Sequence, residues 1–593
     1  MPLLDSKTVG PARLSFADEK DVDAFIEQLD KFERGELAPD AWKAFRLVNG
    51  VYSQRQDGAM MVRVKIPQGI LGSAQLRALA EVADRYSTGV GSLTTRQNFQ
   101  LHFIALKDTD DAVKLLAEAG LTTRESCGNA VRNVTTCPYA GASALEPFDT
   151  TPYAEAVTRR LLRGPLSSTL PRKFKIAFGG CCATDCVGAS FNDVGFLART
   201  RDGKPGFRVT LGGGLSTLRR TGILAHEFAP AEEALEISEA VVRVFHRTGD
   251  RQHRQKARLK FVIDKLGAEA FLQLYLEERE ALRREGPGRL LTDLPASPAR
   301  TSVQPRERAQ KPGLAEFVRT NVRAQRESGH AAATVAAQPA SEHVAVTVRA
   351  PLGKLTAAQL RTLASLAEEF SEEREVRTTL EQNLLLRFVP RAALASLHAA
   401  LDEAGLATPG ARTVGDVVSC PGASSCRLAV TSSRGMAADL TRQLEAQPAV
   451  AARAEALSIK ISGCPNGCGQ HYVAGIGLQG SVRKVSGRAV PQYFVYLGGG
   501  YGDGQAAFGR LAAKVPARRV GEAIARLISL YDREKLPGEP AEKFLARLPQ
   551  PRVSALLLDL ETLESADAVP ADFIDLGEQQ SFAVQTQEGE CAT

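Results

Sequence analysis

The sequence contains no apolar run that approaches the roughly twenty residues a membrane helix requires. Its N-terminal segment also lacks the apolar core of a secretory signal. The net charge of +6 is small for a chain of 593 residues, and the basic residues are too dispersed for a nucleic-acid surface. These absences predict a cytoplasmic protein with no membrane and no nucleic-acid partner.

Cysteine is scarce and unevenly placed. The chain has ten cysteines, and most of them lie in short clusters. Clustered thiols are typical of metal binding in a reducing compartment, where disulfides are rare. A chain of 593 residues is also too long for a single hydrophobic core, so we expect several domains.

The two halves of the chain resemble each other. Residues 61–104 and 346–389 share the run AQLR-x-LA, and a Pro-x-Gly turn precedes it at both Pro67 and Pro351. The likeness continues from NVTTCPYAGAS to DVVSCPGASS and from KIAFGGCCATDC to SIKISGCPNGC. Similarity over this distance indicates a duplicated unit and not a short solenoid repeat. Two such halves are expected to pack about a pseudo-twofold axis, and their interface is a natural place for a large ligand.

Four cysteines in the second half form two short clips. Cys420 and Cys426 have C-x5-C spacing, and Cys464 and Cys468 have C-x3-C spacing, each in a turn rich in small residues. Such a set can hold four corners of one iron–sulfur cube or one tetrahedral zinc ion. Zinc sites usually have tighter C-x2-C clips, so the pattern favours a [4Fe-4S] cluster. Zinc, or four buried thiols without a metal, remain as alternatives.

The first half collects cations at positions where the second half has mostly other residues. Residues two apart on a strand point to the same face, so Arg63 and Lys65 form one pair and Lys173 and Lys175 another. Further polar candidates follow in TTRQNFQLHF and NAVRNV, namely Arg96, Gln100, His102 and Arg132. Converging arginines and lysines are typical of a site for a multiply anionic ligand.

Together these motifs resemble the siroheme-dependent nitrite/sulfite reductase family over nearly the whole chain. GVYSQRQ, MMVRVKIP, TTRQNFQLHF, NAVRNV, PRKFK, the C-x5-C clip and SGCPNGC occur in the family's order. The resemblance implies an α+β fold, a tandem-duplicated pseudo-twofold arrangement of paired ferredoxin-like half-domains and two larger α/β lobes. It also implies that siroheme lies between the lobes and is coupled to a [4Fe-4S] cluster through a shared cysteine.

The repeat and the resemblance together predict the domain boundaries. The first half has an N-terminal arm at 1–55, a first ferredoxin-like half-domain at 56–125 and a first siroheme-binding domain at 126–287, and a linker or wrapping arm follows at 288–340 with one helix near 314–326. The second half has a second half-domain at 341–408, a second siroheme and cluster domain at 409–552, and a C-terminal tail at 553–593 that is predicted to be polar and mobile from about Asp572. Residues 255–285 and 505–548 are predicted to be helical and to close the two halves.

The resemblance also assigns roles to residues. Cys420, Cys426, Cys464 and Cys468 would hold the cluster, and Cys468 would also be the siroheme ligand. The residues expected to grip the substrate anion are Arg63, Arg132, Lys173 and Lys175. Those expected to contact siroheme are Lys65, Arg96, Gln100, His102 and Asn466.

The implied activity is six-electron reduction of sulfite to sulfide, with reduction of nitrite to ammonia as the alternative. Lys175 favours sulfite, because family members that reduce nitrite tend to have Asn at that position. No flavin or nicotinamide domain is recognisable, so electrons are expected from ferredoxin or a similar acidic carrier. A non-catalytic iron–sulfur carrier and a zinc-stapled structural protein are more distant alternatives. The oligomeric state is left open, with a monomer as one option.

Two further features of the first half leave hypotheses open. Cys137, Cys181, Cys182 and Cys186 suggest a second cluster, but Ser143 stands where the second half has Cys426, which indicates a degenerated site. Some family members place a tyrosine beside a cysteine near the substrate, so Tyr52 and Cys127 are candidates for a cross-linked pair.

Overall fold

The computed structural model describes residues 8–9, 14–181, 185–286, 288–292, 294, 300–325, 342–454, 456–502, 504–587 and 589–590. Cys182, one of the cysteines considered for a second cluster, lies outside the described residues. Within the described residues, no helix combines the length and the apolar character needed to cross a membrane.

The first half contains these helices and strands in chain order: β1 (Thr8–Val9), β2 (Ala17–Asp18), α1 (Glu19–Glu33), α2 (Pro39–Val48), β3 (Val51–Ser53), β4 (Ala59–Val64), β5 (Ile70–Gly72), α3 (Ser73–Tyr86), β6 (Val90–Leu93), β7 (Phe99–Ala105), α4 (Thr109–Glu118), β8 (Thr135–Thr136), α5 (Thr151–Leu161), β9 (Ile176–Gly179), β10 (Val194–Arg201), β11 (Lys204–Leu211), β12 (Ile223–Pro230), α6 (Ala234–Thr248), α7 (Leu259–Leu266) and α8 (Ala268–Arg284).

The second half contains α9 (Leu314–Asn321), β13 (Val322–Ala324), β14 (His343–Val348), β15 (Lys354–Thr356), α10 (Ala357–Phe370), β16 (Glu375–Thr378), β17 (Leu384–Pro390), α11 (Leu394–Glu403), β18 (Val418–Ser419), α12 (Ser433–Glu445), α13 (Pro448–Arg453), β19 (Ile459–Ser462), β20 (Ile476–Val485), β21 (Arg488–Leu497), β22 (Gly500–Gly502), β23 (Gln505–Ala507), β24 (Arg510–Pro516), α14 (Val520–Glu534), α15 (Ala541–Arg547) and α16 (Gln550–Glu561).

The two half-domains exchange a strand. The sheet of the first half-domain has the order β15-β6-β7-β4-β3, and that of the second has the order β13-β14-β17-β16-β5. The second half thus supplies β15 to the first sheet, and the first half supplies β5 to the second. Leu76 of α3 and Leu360 of α10 are fully buried in one shared core, so neither half-domain has a separate core.

The two lobes share one topology. Each has a five-stranded sheet, β12-β11-β10-β9-β8 in the first lobe and β24-β21-β20-β19-β18 in the second. In both, the three strands at one side are parallel and the other two are antiparallel. Carboxyl ends of neighbouring parallel strands meet at one edge of a sheet, which is a usual place for ligands. Both cysteine-bearing loop pairs follow such ends, after β8 and β9 and after β18 and β19.

Several segments differ from the sequence-based expectations. The sequence predicts a helix over 505–548, but residues 505–516 form the strands β23 and β24. The pairing of β24 with β21 overrides the helix propensity of the alanines in this segment. The arm at 1–55 includes β3, which pairs with β4 of the first half-domain. The linker contains the predicted helix as α9, but the helix ends at Asn321 and the edge strand β13 follows it. The boundary at 552 falls inside α16.

Two buried carboxylates of the tail, which is predicted to be mobile from about Asp572, form hydrogen bonds with both halves; the mobility itself stays a prediction. Asp575 accepts a hydrogen bond from the backbone N–H of Ser432, at 2.7 Å. Glu590 is buried and accepts from the guanidinium of Arg46, at 2.9 Å to one nitrogen, and from the backbone N–H of Ser53, at 2.8 Å.

Removing the Glu590 charge should destabilise the fold. Burial opposes the charged carboxylate, but hydrogen bonds from Arg46 outweigh it, so the pKa of Glu590 lies below its ordinary value. Glu590→Gln leaves Arg46 buried without its counter-charge and should lower the free energy of unfolding at neutral pH by about 3 kcal/mol. Because the folded-state pKa is depressed, this difference should shrink as the pH falls through it.

Urea unfolding followed by circular dichroism at several pH values measures the effect. Glu564→Gln is the matched control, since Glu564 is exposed; it should change stability by less than about 0.5 kcal/mol. Equal stability of Glu590→Gln and Glu564→Gln at neutral pH would contradict a stabilising role for the buried pair.

Candidate functional site

The four predicted cluster cysteines lie on two loops that follow neighbouring parallel strands. Cys420 comes directly after β18, and Cys464 comes two residues after β19. Cys420 and Cys464 are buried, Cys426 is half-buried and Cys468 is exposed. The sheet therefore brings the C-x5-C and C-x3-C clips to one edge, as the spacing predicts.

The surroundings of these thiols suit anionic sulfur. The backbone N–H of Gly463 donates to Cys420 Sγ at 3.3 Å, and the Ser433 hydroxyl lies 3.2 Å from the same sulfur. Burial, followed by the neighbouring thiols of Cys468 and Cys420, raises the pKa of Cys464 well above its ordinary value. Burial and mutual repulsion prevent these thiols from ionising together in the absence of a metal. A cationic metal centre stabilises them as thiolates, so this set of sulfur ligands fits a metal cluster.

A group of cations in the first half surrounds one carboxylate, Asp193. Arg96 donates to Asn192 Oδ1 at 2.6 Å and to the carbonyl of Asn133 at 2.7 Å, while its Nε is buried without a hydrogen-bond partner. Burial, with the positive charges of Arg132 and Arg258, lowers the pKa of Arg96 to about 9 against the pull of Asp193. Positive charge is therefore in excess here, as a site for an anion requires.

Lys175 belongs to the same group. Its backbone N–H donates to Asp193 Oδ2 at 2.9 Å, and Arg258 donates to that oxygen at 2.8 Å. Burial and the charges of Arg96, Arg258 and Lys173 lower the pKa of Lys175 well below its ordinary value. Because its pKa is lowered, the Lys175 amine should take up a proton when an anion binds beside it.

Arg63 and Arg132 converge on one backbone carbonyl. Their guanidinium groups lie 3.4 Å and 3.0 Å from the oxygen of Ser126. Arg63 also lies 3.3 Å from Cys127 Sγ and 5.3 Å from the centre of the Tyr52 ring. Tyr52 and Cys127 pack in one small buried cluster, which places the two residues of the cross-link hypothesis together beside Arg63.

Gln100 and His102 lie on the same sheet face as Arg63. Phe99 and Leu101 of β7 are buried in the shared core, so the alternating residues Gln100 and His102 point to the opposite face. Gln100 is the direct β-partner of Arg63, and its Nε2 lies 3.3 Å from the sulfur of Met61.

His102 presents a ring nitrogen to this face. Its Nδ1 lies 2.9 Å from Gln54 Oε1 and donates to it, while Nε2 is buried without a partner. Burial and the charges of Arg434 and Arg63 lower the pKa of His102 well below its ordinary value. The neutral ring offers an acceptor at Nε2, so a carboxylate could bind there only together with a proton.

Three hydrogen bonds connect the loops that carry the four cysteines to the first half-domain. The hydroxyl of Thr95 donates to the carbonyl of Cys468 at 2.8 Å, and Gln470 Nε2 donates to the carbonyl of Thr95 at 3.2 Å. Arg434, which follows Ser433 beside Cys420, donates to the Ser92 hydroxyl of β6 at 2.9 Å. These bonds hold the two predicted donor sets against each other across the interface of the halves.

Two predicted siroheme contacts have other partners in the structure. Lys65 Nζ is buried 4.0 Å from Glu125 and 3.4 Å from the carbonyl of Val131. Asn466 contributes its backbone N–H to Cys464. Their siroheme contacts remain predictions.

Three further arginines lie at the site without having been predicted from the sequence. Arg434 and Arg258 are described above. Arg55 donates to the carbonyls of Cys426, at 3.3 Å, and Ala429, at 2.6 Å. Arg55 lies within the GVYSQRQ motif, so the sequence could have indicated it as a site residue. Arg258 and Arg434 belong to no recognisable motif.

Comparison with protein families identifies the chain's relatives. The family described as "Nitrite and sulphite reductase 4Fe-4S domain" matches residues 127–282 and 410–549. The family described as "Nitrite/Sulfite reductase ferredoxin-like half domain" matches residues 52–119 and 337–404. Both families occur twice, in agreement with the duplication and with the paired half-domains of the structure.

Individual relatives carry two different names. The ferredoxin–nitrite reductase of Synechococcus elongatus is 33% identical over 75% of this chain and 81% of its own length. The assimilatory ferredoxin-dependent nitrite reductase of Haloferax mediterranei is 31% identical over 87% and 88%. A ferredoxin-dependent sulfite reductase of Mycolicibacterium paratuberculosis is 29% identical over 83% and 85%.

A solved structure is also similar. The NirA protein of Mycobacterium tuberculosis matches with a TM-score of 0.73 and 26% identity, over 90% of this chain and 97% of that one. This likeness confirms the predicted fold class, and the family matches confirm the predicted relationship and the iron–sulfur centre. The chain is an enzyme of the nitrite and sulfite reductase family.

Proposed function

We propose that the chain reduces sulfite to sulfide at a siroheme coupled to a [4Fe-4S] cluster, with electrons from ferredoxin. The observation that carries the proposal is the Thr95–Cys468 bond, which holds the thiol loops of one half against the cations of the other. A site with thiolates on one side and several arginines and lysines on the other suits a metal-centred reduction of an anion.

The residues present fit siroheme. Its many carboxylates require several cationic and N–H donors, and the interface of the halves supplies them from both sides. The unpartnered Nε of Arg96 and the unpartnered Nε2 of His102 are buried polar atoms that a carboxylate-bearing ligand would satisfy. In this proposal Arg96, Gln100, His102 and Arg434 hold siroheme, and Cys420, Cys426, Cys464 and Cys468 hold the cluster.

The bound cofactors would supply the electron-transfer chemistry, and this chain's side chains would supply binding and protons. Arg63, Arg132, Lys173 and Lys175 would neutralise the substrate anion and fix its oxygens by charge-assisted hydrogen bonds. Each S–O bond that breaks must release its oxygen as water, which requires two protons. Because the pKa of Lys175 is depressed, its ammonium form gives up a proton near neutral pH more readily than an ordinary lysine.

Nitrite is the second candidate substrate. Two of the relatives named above, at 33% and 31% identity, are nitrite reductases, while the sulfite reductase is 29% identical. Lys175 supports sulfite, because an additional cation suits a doubly charged anion with three oxygens better than singly charged nitrite.

Replacing Lys175 tests the choice of substrate. Lys175→Asn keeps a hydrogen-bond donor of shorter reach and removes one charge from the cation group. A lost hydrogen bond to a charged group costs about 1.5–3 kcal/mol, so kcat/KM for sulfite should fall roughly ten- to a hundredfold. The value for nitrite should remain nearly unchanged. Steady-state assays with both anions, at equal siroheme content, measure this difference.

Lys204→Asn is the matched control, since Lys204 is exposed on β11 of the same lobe and should leave both activities unchanged. An equal fall for sulfite and nitrite in Lys175→Asn would show that this lysine does not select the anion. A wild-type enzyme that turns over nitrite and not sulfite would overturn the sulfite proposal.

The role of Cys468 predicts unequal losses among the cysteine variants. Cys426 would be a ligand of the cluster only, whereas Cys468 would be a ligand of both the cluster and the siroheme iron. Cys468→Ser should therefore lose both the cluster iron and the native Soret band, and Cys426→Ser should retain more of the Soret absorbance. Iron analysis and visible spectra check this. A Cys468→Ser protein with native spectra would rule out the shared-ligand role.

If an acidic protein donates the electrons, the turnover rate should depend on the salt concentration. Electrostatic steering is screened beyond about 8 Å at physiological ionic strength, so turnover with ferredoxin should weaken steeply as salt is added. Turnover with a small dye donor should depend on salt far less. The two salt titrations at saturating sulfite make the comparison, and parallel curves would argue against an electrostatically docked carrier.

A further inference from the structure

Three cysteines of the first half lie together. Cys137 comes directly after β8, Cys181 follows β9, and Cys186 lies five residues further on. Their three Sγ atoms are all within 4.8 Å of one another. Across the described part of the chain, no other group of three or more histidine, cysteine, aspartate or glutamate ligand atoms is this compact.

These thiols occupy the positions that match the cluster ligands of the second half. Cys137 corresponds to Cys420 and Cys181 to Cys464, each after the equivalent strand. The second-half thiols include no three sulfurs within 4.8 Å of one another among the described residues, although they are electrostatic neighbours. A cubane spreads its thiolates over four iron ions, so the compact first-half group is of the size for a single ion.

The distances agree with a tetrahedral site. Cys181 Sγ and Cys186 Sγ are 3.9 Å apart, and the Ser143 hydroxyl lies 3.4 Å from Cys181 Sγ. With Zn–S bonds of about 2.3 Å and a Zn–O bond of about 2.0 Å, tetrahedral angles place two sulfurs about 3.8 Å apart and a sulfur and an oxygen about 3.5 Å apart. Ser143 has the position of Cys426 in the duplicated half, so the fourth corner has an oxygen donor in place of a thiolate.

The charge around the three thiols also favours bound metal. Three thiolates and a dication leave one negative charge, and buried charge needs a counter-charge. Arg412 and Arg323 supply positive charge there, since both interact electrostatically with Cys186. The Arg412 guanidinium lies 4.9 Å from the ring centre of Tyr139, two residues after Cys137.

We propose that Cys137, Cys181 and Cys186 bind one zinc ion as thiolates, with the Ser143 hydroxyl or a water as the fourth ligand. Binding releases three thiol protons, and no electron is transferred. The ion fastens a loop that contacts the second half: Arg387 donates to the carbonyl of Pro138 at 3.3 Å, and the Tyr139 hydroxyl lies 3.4 Å from Thr347 Oγ1. The site is structural and independent of which anion the enzyme reduces.

Metal analysis of the complete holoenzyme, purified without chelator, tests the proposal. We expect about one zinc per chain in addition to about five iron atoms, four from the cluster and one from siroheme. Cys137→Ser and Cys181→Ser should each lose nearly all of the zinc. Cys127→Ser is the matched control, because it removes a buried cysteine of the same half that lies outside the group; it should retain the zinc.

X-ray absorption at the zinc edge of the wild-type enzyme covers the case in which a variant fails to fold. We expect three sulfur neighbours at about 2.3 Å and one oxygen neighbour. About nine iron atoms and no zinc would show a second cubane, and one additional iron without zinc would show a mononuclear iron site. A deficit of two titratable thiols without metal would show a Cys181–Cys186 disulfide. Each of these three results would overturn the proposal, as would zinc that persists in both serine variants.

Discussion

The hydrogen bond from the Thr95 hydroxyl to the carbonyl of Cys468 joins two parts of the chain that have different chemistry. Thr95 precedes Arg96, so the turn that carries it also positions a cation beside Asp193 and Lys175. Cys468 ends the C-x3-C clip. The bond therefore fixes the position of the Cys468 loop relative to the turn that carries Arg96. The proposed cofactor site depends on that placement.

Duplication explains how one chain can carry both donor sets. Exchange of β5 and β15 gives the half-domains one core, so the two lobes are held in a fixed relation while their loops differ. In the first lobe the loops and strands carry Lys173, Lys175 and a compact group of three thiols. In the second they carry four thiols that are farther apart. In the proposed assignments, equivalent strand ends would hold a single ion in the first lobe and a cluster in the second.

Much of this arrangement could be predicted from the sequence, because repeats and cysteine spacing are local signals. The two cysteine clips predicted which loops of the second half meet. The strand exchange could not be predicted, since β5 and β15 are three residues long and have no periodicity. The Lys65–Glu125 contact and the site role of Arg434 depend on tertiary packing between distant segments, which no local pattern reveals.

The most direct test of the central claim is an anomalous difference map at the iron edge from crystals of the holoenzyme. We expect a compact cluster peak among Cys420, Cys426, Cys464 and Cys468. We also expect one separate iron peak next to Cys468, on the side of Arg132 and Lys175. A single-iron peak remote from Cys468, or on the side away from the cations, would contradict the claim that the two halves meet at one ligand.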